Sequence, residues 1–267
     1  MSRPLRIEYE GAWYHVMNRG TNRCKIFLNN KHYHTFINLF VEITSLFTTE
    51  IHAYCSMGNH YHLLLHTPKG NLSRIMRHLD GVYTQRFNKL AKRDGSLFRG
   101  RYKALLIEEN SYLLQVSRYI HLNPAAKNNL KTAEDYNWSS YRAYLNKEER
   151  PNWLCTDRIL DQFNNREGYY EYVSCGVDKQ IAEIYQRKHC PSILGSEVFK
   201  SQCLEKLNWN KINESLPDIK RCKDVLPISD VINKVAIYFN TSSKNIIDSR
   251  RGVENLPRIL CMTILWI

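Results

Sequence analysis

The order strand, helix, strand, strand, helix, strand, helix over residues 12–122 predicts an α+β chain. Its core is a ferredoxin-like antiparallel sheet with helices, and an all-helical C-terminal region follows. Three observations carry this reading. Apolar residues alternate with period two at residues 12–19 and 49–67, and they recur at helical spacing at 30–47 and 71–93. Gly, Asn and Pro punctuate the joins between these stretches.

Taken in order, the first strand is Ala12 to Arg19, closed by Gly20-Thr-Asn. The helix over 30–47 presents Phe36, Leu39, Phe40, Ile43 and Phe47 at helical spacing. Thr49 to Ser56 forms a second strand, and Met57-Gly58-Asn59 turns tightly into a third that opens at His60. Asn71 is the expected N-cap of a long helix to about Arg93, with Leu72, Ile75, Met76, Leu79, Val82, Tyr83, Phe87 and Leu90 on its apolar side. Leu97 to Glu108 reads as a fourth strand. Ser111 is the expected cap of a helix that stops at Asn123-Pro124.

The formal charge of +12 and an aromatic share of 12% suit a polyanionic partner with exposed bases. Residues 69–103 carry ten Lys or Arg against two acids, and Arg99, Arg101 and Lys103 fall on one face of the expected fourth strand. Cations at two-residue spacing match a phosphate backbone better than protein burial. Eight cysteines show no C-x-x-C and no paired spacing, so neither a zinc knuckle nor a disulfide framework is indicated. The N-terminus lacks a signal-peptide core and no apolar run reaches the roughly 20 residues of a membrane span. The expected location is cytoplasmic, on the bacterial nucleoid.

The chemistry starts from His60-Tyr61-His62, which in a strand puts both imidazoles on one face, where they can grip one divalent ion. The other His-x-His, His32-Tyr33-His34, lies in a helix, where residues two apart point in different directions and cannot share a metal. In Arg118-Tyr119-Ile120-His121-Leu122-Asn123, Tyr119 and Asn123 are one helical turn apart on one face. The Asn123 amide oxygen would complete a His-His-Asn ligand set suited to Mn²⁺ and acceptable to Mg²⁺, with Tyr119 as nucleophile. A phenol of unperturbed pKa about 10 needs activation, which a metal on the scissile phosphate reduces. Core packing is the competing role for any of the 17 tyrosines.

Together, Gly11-Ala-Trp-Tyr-His-Val16, His60-Tyr-His62, Phe98-Arg-Gly-Arg-Tyr-Lys103 and Arg118-Tyr-Ile-His-Leu-Asn-Pro124 resemble, in the same order, the motifs of the HUH single-tyrosine transposases. The likeness is strongest to the REP-associated branch of IS200-like enzymes, and it covers roughly residues 5–145. It implies an HUH endonuclease fold and a metal-dependent single-stranded DNA endonuclease and strand transferase working beside hairpins or palindromic repeats. In that reading His60, His62 and Asn123 hold Mg²⁺ or Mn²⁺, and Tyr119 forms a 5′-phosphotyrosine. Arg74, Arg77, Arg99, Arg101, Lys103, Trp13 and Tyr14 are the expected DNA contacts. Gly58 stands where many members have Pro, and Ala125-Ala-Lys-Asn128 replaces their Val-Arg-Ala-Gly. A catalytically silent DNA-binding regulator or domesticated remnant is the alternative, and an RNA-binding module a further one.

The expected domains are a catalytic one at 1–146, a helical accessory region at 153–226 and a helix-turn-helix-like segment at 227–267. The last resembles the DNA-binding domain of the replication initiator DnaA and is the expected contact to double-stranded DNA. The apolar end, Ile259 to Ile267, lacks a polar cap, which raises the expectation of a truncated gene product. Monomer and homodimer are both open.

Overall fold

The computed structural model describes residues 7–124, 132–186, 191–206, 228–247, 255–257 and 260. These fall into two compact units, one within 6–209 and one within 210–267. The first is built on a five-stranded sheet of order β2-β3-β1-β4-β5. Its strands are β1 Ala12–Arg19, β2 Glu50–Met57, β3 His60–Thr67, β4 Lys103–Ile107 and β5 Ile193–Leu194. The first four are antiparallel neighbours, in the order that a split βαβ arrangement requires, and β5 adds in parallel to β4.

Helices α1 (Asn30–Phe47) and α2 (Leu72–Ala91) cover one face. The Asn29 side chain accepts from Lys31 N at 3.1 Å, which fixes the start of α1. Thr48 ends it in the left-handed region at φ 53°. Phe36, Leu39, Phe40 and Ile43 are fully buried, with Phe36 against Tyr61 of β3 at 4.9 Å between ring centroids. His32 is buried and His34 exposed, so the helical His-x-His does not converge. Gly70 turns β3 into α2 at φ +56°, and a Cβ there would stand 2.7 Å from the Tyr9 carbonyl carbon, so only glycine fits.

Helix α3 (Glu109–Leu122) lies on the opposite face with Leu113, Val116 and Ile120 buried against Ala53, Cys55 and Leu64. Each such side chain contributes roughly 1.5–3 kcal/mol. Its cap is Glu108 rather than Ser111, because the chain already turns helical at Glu109. On this side follow α4 (Tyr141–Leu145), α5 (Asp157–Leu160), α6 (Arg166–Ser174) and α7 (Lys179–Gln186), and α8 (Glu197–Lys206) comes after β5. Tyr141, Tyr144, Ile159, Tyr169, Val173 and Ile181 join the same core as α3. Strand β4 is shorter than expected. Arg99 and Arg101 lie in a bent segment ahead of it, tied to β1 by Arg99 N donating to Arg19 O at 2.9 Å.

The second unit pairs α9 (Ile228–Tyr238) with α10 (Ser243–Ile247) through Val231, Val235, Ala236 and Ile246, with Asn240 at φ 48° in the turn. Arg250-Arg251, residues 261–267 at the end of the apolar stretch, and Ala125–Asn128 lie outside the described residues. Among the described residues no helix is long and apolar enough to cross a membrane.

Candidate active site

His60 and His62 open β3 on the α3 face of the sheet, 7% and 4% exposed, with ring centroids 5.1 Å apart. The hairpin before them is held from outside. The Gly58 carbonyl accepts from Ile26 N at 2.9 Å and Phe27 N at 3.1 Å, and Asn59 O accepts from Gly20 N at 2.9 Å. Gly58 therefore does not leave the turn loose.

The hydrogen bonds around the two imidazoles select the tautomer of His60 and couple that of His62 to His15. Asn59 Nδ2 donates to Arg23 O at 3.2 Å, which orients its Oδ1 as the acceptor facing His60 Nδ1 at 2.7 Å. His60 is then protonated on Nδ1, with its lone pair on Nε2. His62 Nδ1 lies 2.9 Å from Nε2 of His15, a residue of β1 that is fully buried, and His15 Nδ1 lies 2.5 Å from the Tyr185 hydroxyl on α7. Burial pushes His15 down to about 3, so it is neutral at ordinary pH and has one donor and one acceptor nitrogen. If His62 Nδ1–H donates to His15 Nε2, then His15 Nδ1–H donates to the Tyr185 oxygen, and the His62 lone pair also sits on Nε2. Metal-binding histidines are held in the same way, by a partner on the other nitrogen.

Tyr119, half-buried on α3, stands edge-on to His62 and His15, with ring centroids 5.8 Å and 5.9 Å away, and stacks face to face on Tyr185 at 3.9 Å and 15°. Asn123 follows one turn later. It is 5% exposed, and its Oδ1 is buried with no hydrogen-bond partner among the described residues. A buried amide oxygen in that condition costs about 1–3 kcal/mol unless a cation or water meets it. Two buried imidazoles, His60 with its lone pair on Nε2, and an unsatisfied oxygen one turn past the phenol fit a hard-to-borderline divalent ion.

Helix α3 is fixed from behind by His121. This buried imidazole meets Tyr169 Oη at 2.7 Å through Nδ1 and Ser140 Oγ at 2.7 Å through Nε2, and Ser140 Oγ accepts from Tyr54 N at 2.9 Å. Burial holds it down to about 3. His121 is thus a neutral link between α3, α6 and β2, and the placement of Tyr119 depends on it.

The expected DNA contacts divide. Arg99, Arg101 and Lys103 are exposed. Lys103 pairs with Met17, which pairs with His62, so these three residues share one row and one face. Lys103 therefore stands two strands, roughly 10 Å, from the imidazole. Arg74 and Arg77 are exposed on α2, and the sheet separates them from this site. Trp13 and Tyr14 are corrected: at 3% and 2% exposed they belong to the core, where no base can stack on them. Trp13 packs on His52 and His66, and the Tyr14 hydroxyl donates to Ile7 O at 2.8 Å. Sequence reasoning missed His15 and Tyr185. The alternation of β1 could have placed His15 on the imidazole face, but Tyr185 lies in a stretch that reads as plain helix.

Residues 8–123 match the family model described as IS200-like transposase. One solved structure, a REP-associated tyrosine transposase bound to a REP hairpin, is 18% identical, with 60% of this chain and 94% of that one covered at a TM-score of 0.47. Another, a candidate transposase from Deinococcus radiodurans R1, is 21% identical over 44% of this chain and 95% of that one, at a TM-score of 0.33. No curated protein matches. The paired imidazoles, the four antiparallel strands and the tyrosine helix all lie in the matched stretch, and it is over residues 8–123 that the chain is similar to the IS200-like transposases.

Proposed function

We propose that this transposase domain is a metal-dependent single-stranded DNA endonuclease and strand transferase with Tyr119 as nucleophile. The observation that carries the reading is the Tyr119 ring edge-on to the buried His62, beside His60. His60, His62 and Asn123 would hold Mg²⁺ or Mn²⁺, which when bound polarises the scissile phosphate. The chain's own residues do the rest. Asn59 and His15 keep both imidazoles on the ligating tautomer, and His121 fixes the helix that presents the phenol. Arg99, Arg101 and Lys103 draw the backbone to the His60 end of the sheet. The phenolic oxygen forms a bond to phosphorus as the 3′ oxygen leaves. The phenol gives up its proton and the 3′ oxygen gains one, so a 5′-phosphotyrosine and a 3′-hydroxyl result. One phosphodiester replaces another, so the reverse attack rejoins strands without a nucleotide cofactor.

A single-stranded oligonucleotide with a hairpin, the element the REP-associated transposase is bound to, is the substrate to test. With labelled hairpin DNA and Mn²⁺, the wild type should give a denaturant-stable adduct. Tyr119→Phe should give none while binding DNA within about threefold, and His60→Ala should stop cleavage. An adduct retained by Tyr119→Phe would refute the assignment. The stack of Tyr185 on Tyr119 favours a second reading, a DNA-binding remnant without cleavage, and binding with no adduct in the wild type would select it.

A further inference from the structure

At the other end of the same strands lies a second cluster of ligand-bearing side chains. Glu50 of β2 pairs with His66 of β3 across the ladder, and a register shift between Ile51 and Ala53 inserts His52 as an extra residue. Alternation from Glu50 puts His52 on the face that carries Glu50 and His66, and the bulge leaves it without a partner of its own across the ladder. Glu50 Oε2 lies 3.3 Å from His52 Nε2 and 2.8 Å from His66 Nδ1, and one ligand atom from each residue falls within 4.8 Å of the others. His52 is 1% exposed, while the side chains of His66 and Glu50 are 12% and 41% exposed. The cluster is thus closed on the imidazole side and open on the carboxylate side.

We propose that Glu50, His52 and His66 bind a divalent cation of the Zn²⁺ class, with the fourth position open to water. Two imidazole nitrogens and a carboxylate oxygen are a three-ligand zinc set, and tetrahedral bonds of about 2.1 Å put ligand atoms roughly 3.4 Å apart. The His52 contact already has that spacing, and the His66 contact needs to open by about 0.6 Å. The rings are held in advance. Trp13 stacks on His66 at 4.7 Å and 27°, and meets His52 at 4.4 Å. Arg158 opposes the site by charge. Its guanidinium stands 5.9 Å from the Trp13 ring, but it is paired with Glu109 at 3.4 Å. The site is separate from the imidazole pair of the transposase reading, because His66 stands six positions along β3 from His60, roughly 20 Å.

The test uses the full chain, stripped with chelator, in a His60→Ala/His62→Ala background, so that its outcome does not depend on the proposed catalytic ion. Titration with ZnCl2 should load one ion per chain by equilibrium dialysis and elemental analysis. It should also change tryptophan fluorescence through Trp13, and raise the melting temperature by about 5–10 °C at a hundredfold excess over Kd. Glu50→Gln and His66→Gln, both at the open side and checked for native circular dichroism, should each weaken Zn²⁺ binding at least tenfold. In the otherwise wild-type chain, Glu50→Gln should leave Mn²⁺-dependent hairpin cleavage unchanged. No Zn²⁺ bound in the background variant, or equal affinity after Glu50→Gln or His66→Gln, overturns the proposal.

Discussion

Replacing His15 by Phe tests whether the link from Tyr185 to His62 sets up the site or merely fills space. The substitution keeps a planar ring in a fully buried position but removes both nitrogens, so the loss reports polar partners rather than a cavity. It takes away the 2.9 Å hydrogen bond to His62 Nδ1 and the 2.5 Å one to the Tyr185 hydroxyl. Losing the buried hydrogen bond to His62 costs about 1–3 kcal/mol, so urea unfolding should show a loss of about that size. Without its Nδ1 acceptor, His62 can turn or change tautomer. Removal of such an outer partner weakens metal affinity about 10–100-fold, and the Mn²⁺ concentration for half-maximal cleavage should rise by that factor. Tyr185→Phe removes only the outer hydroxyl and should shift the Mn²⁺ requirement by less. Cleavage by His15→Phe at the wild-type Mn²⁺ midpoint, with stability within about 0.5 kcal/mol, would refute the reasoning.

Three further outcomes follow from other parts of the molecule. His121→Leu removes the hydrogen bonds to Ser140 and Tyr169, which keep their contacts to Tyr54 and Ser117, and should cost about 1–3 kcal/mol in urea unfolding, with slower adduct formation because the helix that carries Tyr119 is no longer pinned. Asp80 accepts from the Tyr61 hydroxyl at 2.6 Å and from Asn18 at 2.9 Å, and desolvation raises it to about 6 despite both bonds. Its native pKa lies above the unfolded value of 3.8, so the native state holds the extra proton and stability falls as pH rises from about 4 to about 6. The loss is at most about 3 kcal/mol, and Asp80→Asn should flatten that part of the profile. Replacing Arg99 and Lys103 with Ala should reduce the slope of log binding constant against log salt for single-stranded DNA by about 0.7 for each phosphate no longer neutralised, read by fluorescence anisotropy.

Much of the fold is legible in the chain. The bounds of β1 and α1 follow from alternation and spacing to the residue, and the hairpin at Gly58-Asn59 follows from its turn chemistry. The fourth strand is overextended because the basic pattern at 99–103 alternates like a strand, whereas Phe98 makes an isolated bridge to Gly20 and the chain bends before Lys103. Strand β5 escapes notice at two residues, too short to show a period. Trp13 and Tyr14 look like DNA contacts because aromatic composition says nothing about exposure. Both faces of β1 are covered by helices, so both rings are buried.

The sequence by itself determined what local periodicity can encode: four strands and three helices in ferredoxin-like order, two imidazoles on one face of a strand, and a phenol and an amide one turn apart on a helix. Only the tertiary structure decided what those groups meet. His15 reaches His62 through strand pairing, Tyr185 reaches Tyr119 from 66 residues further along, and His66 meets Glu50 and His52 through the pairing of β2 with β3. Such meetings join positions far apart in the chain, and their distance depends on the folded path between them, which no short-range pattern records.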